Sequence, residues 1–97
     1  MKMRVYHYLQ KIPKGKVVTY GQIAEYLGNK KLARAVGNIL HNNPDLQKYP
    51  CFRVVNAKGK LSEHFAFGGA EGQRRLLMAD GIEVENDHVD LEKYRYQ

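Results

Sequence analysis

The chain has 97 residues, enough for one domain with a single modest core and too few for two. Its composition, 43% hydrophobic and 27% charged with no low-complexity tract, is that of a soluble globular protein. A signal-like start and a bilayer-length apolar run are both lacking, so a cytoplasmic setting away from membranes is expected.

The net charge of +6 is unevenly spread. Residues 1–60 carry twelve basic and two acidic side chains, and residues 61–97 carry four basic and eight acidic. A basic surface of that density attracts polyanions, and without a lipid-anchor signal nucleic acid is the better candidate; a merely solvated basic face is the alternative.

In chain order, Val5, Leu9 and Ile12 recur at helical spacing over residues 2–12, and Pro13 and Gly15 stop that helix. Lys16-Val17-Val18 reads as a brief extended segment. In "TYGQIAEYLGNKK", Thr19 and Gln22 have capping-box spacing, and Gly28 suits the turn after a helix. A second helix follows in "KKLARAVGNILHNNP", with Leu32, Ala35, Val36, Ile39 and Leu40 as its apolar stripe and Asn42-Asn43-Pro44 as its end. Two helices joined by about three residues including a glycine outline a helix-turn-helix.

The opposite face of the second helix carries Lys30, Lys31, Arg34, Gly37, Asn38 and His41. A mid-helix glycine costs about 1 kcal/mol relative to alanine, so Gly37 suggests that something approaches the backbone closely. DNA fits that description, with basic side chains meeting phosphates and small ones letting the helix settle in a groove.

Further on, "CFRVVN" reads as a strand followed by a turn at Asn56-Ala57-Lys58-Gly59. "EGQRRLLMADG" reads as a helix with Leu76, Leu77, Met78 and Ala79 as core candidates and Gly81 as its stop. Tyr94 or Tyr96 is expected to pack the tail onto the domain. His7, His41, His64 and His88 are scattered without metal-ligand spacing, and Gly68-Gly69 lacks the context and lysine of a phosphate loop, so neither metal nor cofactor is expected. Glu83, Glu85, Asp87, Asp90 and Glu92 suggest an acidic surface. Cys51 is the single cysteine, and the local pattern leaves it either a buried small hydrophobe or a reactive thiol.

Four blocks in order, "IPKGKVVTYGQIA", "ARAVGNILHNNP", "PCFRVVNAKGKLS" and "RRLLMADGIEV", make residues 13–96 resemble the DNA-binding and active-site domain of the O6-alkylguanine-DNA alkyltransferases and their short alkyltransferase-like relatives. The resemblance implies a single α+β domain over residues 1–97, a winged helix-turn-helix with a short β-sheet. It would act as a monomer on double-stranded DNA containing O6-alkylguanine. Arg34 would enter the minor groove and replace the extruded nucleotide in the stack, while Tyr20 would crowd the neighbouring phosphate. Asn43 would brace the turn ahead of Pro50, Cys51 would occupy the alkyl-acceptor position, and Arg53 would follow it. His64, Phe65 and Phe67 fall in the loop expected to close over the base.

Two departures weaken the activation machinery. Phe52 stands where the enzymes carry a histidine linked through water to the thiol, and Asp80 stands in place of the glutamate that holds that histidine. A phenyl ring neither accepts a proton nor orders a water, and an unassisted thiol of pKa near ~8.5 is only a few per cent thiolate at neutral pH. The resemblance therefore favours a protein that binds the lesion and flags it for nucleotide excision repair. Single-turnover alkyl transfer to Cys51 is the alternative, in which His64, whose plainer reading is a surface-loop histidine, would substitute as the base, and a DNA-binding domain without lesion selectivity is the second alternative.

Overall fold

The computed structural model describes residues 1–97, and its architecture is organised by a very short parallel ladder. Val18–Thr19 (β1) pairs with Val54–Val55 (β2), Val18 opposite Val54 and Thr19 opposite Val55. Successive strand residues point to opposite faces, so this ladder divides two cores. Val18 and Val54 face one cluster with Val5, Leu9, Ile23, Val36 and Cys51; Val17 and Val55 face another with Phe52, Leu61, Leu77, Ile82 and Val89.

Around the first core lie three helices. Lys2–Lys11 (α1) buries Val5, Tyr6 and Leu9. It stops at Ile12, whose extended backbone is what a following proline imposes. Tyr20–Tyr26 (α2) begins with the expected capping box: the Thr19 hydroxyl accepts the Gln22 N–H at 3.1 Å, and the Gln22 side chain accepts the Thr19 N–H at 3.0 Å. Gly28 takes a left-handed φ of +96°, which turns the chain away.

Ala33–His41 (α3) starts three residues later than the sequence pattern suggests, because Lys30–Leu32 winds into a tighter 3-10 turn. Asn29 caps that turn by accepting the Lys31 N–H at 2.9 Å. Helices α2 and α3 are the anticipated helix-turn-helix, with Val36 and Leu40 buried and Leu32, Ala35 and Ile39 half-buried.

Two expectations need correction. The segment "CFRVVN" is extended only at Val54–Val55, since Cys51–Arg53 forms a 3-10 turn. Pro50 fixes φ at −75° and its carbonyl accepts the Arg53 N–H at 3.1 Å, which curls the chain before the β-branched valines begin. In Gly69–Ala79 (α4), Met78 and Ala79 are exposed rather than core; the helix instead buries Gln73 and Leu77, a residue pair four apart on one face.

The tail forms a one-turn helix, Leu91–Tyr94 (α5), with Tyr94 buried in the second core and Tyr96 half-buried against the first. Val17 receives this tail on both sides, donating its N–H to the Tyr94 carbonyl and accepting the Tyr96 N–H. No helix is long and apolar enough to cross a membrane.

One ion pair joins the ends of these elements. Arg53 donates Nε and Nη2 to the two oxygens of Asp80 at 2.7 and 3.2 Å, and its Nη1 to the Ile12 carbonyl at 2.9 Å. Both side chains are largely buried, and the bidentate geometry fixes the Cys51 turn against the ends of α1 and α4. Asp80→Ala leaves the guanidinium buried without its counter-charge, and is expected to lower the unfolding free energy by about 3 kcal/mol in urea titrations. A change below roughly 1 kcal/mol would mean the pair behaves as a solvated surface contact.

Candidate nucleic-acid interface

Lys30, Lys31, Arg34, Asn38 and His41 are exposed along one side of the 3-10 turn and α3. Lys30, Lys31 and Arg34 pair with no carboxylate, so their charge faces outward. Gly37 sits among them, and a Cβ built there meets nothing within 4 Å. No packing constraint inside the protein therefore requires glycine at this position.

Beside this face opens a cavity of about 430 Å³, within the range of sites that hold a small ligand. Helix α2 contributes Tyr20; α3 contributes Arg34, Gly37, Asn38, Leu40 and His41. Cys51 lines the cavity from its turn, Gln73 from α4, and Ser62, His64, Phe65 and Ala66 from the intervening loop. Of the outward-facing cations Arg34 thus borders the same space as the single thiol.

The thiol is 4% exposed, and burial pushes its pKa above the ordinary thiol value despite opposing hydrogen bonds from Asn43 and the Cys51 backbone. Burial likewise raises the Tyr20 hydroxyl, and the nearby Cys51 adds to this, although a hydrogen bond with the Ser62 side chain opposes it. Tyr20 is consequently a neutral phenol at neutral pH.

The turn beneath Cys51 is braced from two directions. The buried Asn43 donates Nδ2 to the Tyr49 carbonyl at 2.7 Å and accepts the Asp45 N–H at 3.0 Å. Tyr49 stacks on Tyr6 of α1, with ring centroids 4.5 Å apart and planes 13° from parallel.

Several sequence candidates lie behind the cavity rather than in its lining. Phe52 is buried in the second core, because successive residues of the turn direct Cys51 and Phe52 to different clusters. Pro50 is buried, Asn43 braces the turn, and Arg53 is committed to Asp80. Phe67 is 38% exposed and packs against the Phe65 ring at 5.7 Å without lining the cavity. Cys51, His64 and Phe65 do line it, together with Tyr20, Arg34, Gly37, Asn38 and His41.

Ser62 and Gln73 are lining residues that sequence reasoning missed. Gln73 is 1% exposed and its amide is fully used: Nε2 donates to the carbonyls of Phe52 at 3.0 Å and Val54 at 2.8 Å, and Oε1 accepts the Ser62 N–H at 2.8 Å. The available signal was a glutamine four residues before Leu77, interrupting an otherwise apolar helix face. Ser62 carried no comparable signal.

The loop is also held by close backbone approach. A Cβ on Gly72 would lie 2.2 Å from the Phe67 carbonyl oxygen, so only hydrogen fits between α4 and the loop.

A family model for the DNA-binding domain of 6-O-methylguanine DNA methyltransferase matches residues 1–82. The chain is 42% identical over 96 residues to a DNA base-flipping protein of Vibrio parahaemolyticus, covering 98% of this chain and 94% of that protein. It is 40% identical over 92 residues to a bifunctional methyltransferase/endonuclease of Picrophilus torridus, covering 95% of this chain but only 30% of that one. The crystal structure of S. pombe Atl1 in complex with damaged DNA containing O6-carboxymethylguanine superposes with a TM-score of 0.89 at 31% identity, covering 99% of this chain and 94% of that chain.

Iodoacetamide alkylation of Cys51 provides a direct check on the thiol. With its pKa raised, the thiolate fraction at neutral pH falls below that of free cysteine, so the rate should be slower and its pH midpoint higher. A midpoint at or below the free-cysteine value would show an activated nucleophile.

Proposed function

The chain belongs to the family of the 6-O-methylguanine DNA methyltransferase DNA-binding domain, and from this we propose that it binds double-stranded DNA, rotates an O6-alkylguanine nucleotide out of the stack and holds the base above Cys51. The observation that carries the reading is that Arg34 and Cys51 border the same cavity, one on the basic helix face and the other on the pocket floor. Extrusion loses stacking and pairing, a cost of a few kcal/mol that pocket contacts and an inserted side chain offset. Arg34 is suited to fill the vacated stack, and Tyr20 to crowd the phosphate. Lys30, Lys31 and Asn38 supply sequence-independent contacts, and Gly37 allows the helix backbone to approach the groove.

Recognition rather than rapid chemistry is the role that the site favours. Phe52 cannot relay a proton, Asp80 is engaged by Arg53, and burial disfavours the Cys51 thiolate. A long-lived complex with an extruded base would flag the lesion for nucleotide excision repair.

The alternative, single-turnover transfer, is favoured by one observation: Cys51 and His64 line the same cavity. In that reaction the sulfur bonds to the alkyl carbon, the carbon–O6 bond breaks, and guanine leaves with the proton given up by the thiol. Incubation with an O6-methylguanine duplex followed by intact-mass and peptide analysis separates the two. Tight binding with unmodified Cys51 is expected; a gain of one methylene on Cys51 would establish transfer instead.

Arg34→Ala should weaken binding to the lesion duplex on the order of tenfold, and more than it weakens binding to undamaged DNA. Fluorescence titrations of both duplexes measure this. Equal losses would reduce Arg34 to a phosphate contact, and equal affinities of the unaltered protein for both duplexes would leave a DNA-binding domain without lesion selectivity.

A further inference from the structure

His41 lies on the basic side of α3, where a phosphate contact is the obvious assignment. Its Nδ1, however, donates to the His64 carbonyl oxygen at 3.0 Å. Since a carbonyl has no proton to give, the proton in this bond belongs to the ring, and the neutral imidazole then carries a lone pair at Nε2. That N–H is therefore committed to the loop rather than to a phosphate.

The same bond is the only hydrogen bond between residues 63–67 and α3. Other bonds of this loop are local, such as Phe65 N–H to the Ser62 carbonyl and His64 N–H to the Ser62 hydroxyl. Gln73 secures the loop's start through the Ser62 N–H, and the Gly69 N–H at the start of α4 donates to the Phe65 carbonyl at 2.8 Å, but no hydrogen bond from α4 reaches His64.

Resting on the base-extrusion reading above, we propose that His41 is a positioning residue: it latches the closing loop to the DNA-facing helix and so governs discrimination between damaged and undamaged guanine. Phe65 and Ala66 of this loop line the cavity that would receive an extruded base. A base still stacked in the duplex does not enter it, so loosening the loop weakens one complex and spares the other.

The experiment compares His41→Ala, His41→Asn and Lys31→Ala with the unaltered protein. Each is titrated with an O6-methylguanine duplex and its undamaged counterpart, and amide exchange of residues 63–67 is followed in the free proteins. His41→Ala should lose about fivefold more affinity for the lesion duplex than for the undamaged one, the scale of one lost hydrogen bond. Exchange across 63–67 should accelerate. His41→Asn, which keeps an N–H donor near the Nδ1 position, should recover most of both effects, while Lys31→Ala should weaken both complexes equally.

Equal losses for His41→Ala on the two duplexes, or exchange unchanged across 63–67, would overturn the latch. If the unaltered protein discriminates and His41→Ala discriminates equally well, the latch alone fails. If the unaltered protein binds both duplexes alike, the base-extrusion reading fails and the latch fails with it.

Discussion

At the middle of α4 the Gln73 amide, almost wholly excluded from water, spends both hydrogens on the carbonyls of Phe52 and Val54 and its oxygen on the Ser62 N–H. A buried amide left unpaired costs more than an exposed one gains, so these three partners are fixed together or not at all. They belong to the turn that carries Cys51, to the strand that divides the two cores, and to the loop that borders the cavity. One side chain thereby sets the distance between floor and rim.

That rigid frame separates two tasks that share a surface. Binding duplex DNA draws on unpaired cations, whose effect is long-ranged, screened by salt and tolerant of small displacements. Attack by a thiol requires a thiolate, and Cys51 is held where burial opposes ionisation. The neighbouring Arg53, the nearest cation in sequence, is turned toward Asp80. Good packing of the turn and poor activation of its sulfur are consequences of the same geometry.

Features written in short-range patterns were the most legible from sequence. The Thr19–Gln22 capping box, the stripe on α3 and its basic opposite face depend on spacings within one helix, and all are present. The late start of α3 depended on Asn29 capping a 3-10 turn, a choice of winding that composition does not encode. The Cys51–Arg53 turn was hidden because the valines after it have strong strand preference while Pro50 acts on the residues before them. Candidate site residues divided by the same logic. Tyr20, Arg34 and His41 lie on elements whose exposed side could be anticipated, whereas the inward direction of Phe52 and the contribution of Gln73 follow from long-range packing. His41 was recognisable as an outward-facing residue, but its bond to His64 spans 23 positions and has no local signature.

The contact between Gly72 and the Phe67 carbonyl gives the cavity an unexpected genetic vulnerability. Gly72 does not line the cavity, and its neighbour across the gap is backbone rather than a side chain that can swing aside. A single methyl group there must displace the main chain at Phe67, on the same loop as Phe65. Inherited variation at this hidden position would therefore reshape the chamber from outside, while every residue bordering it kept its identity.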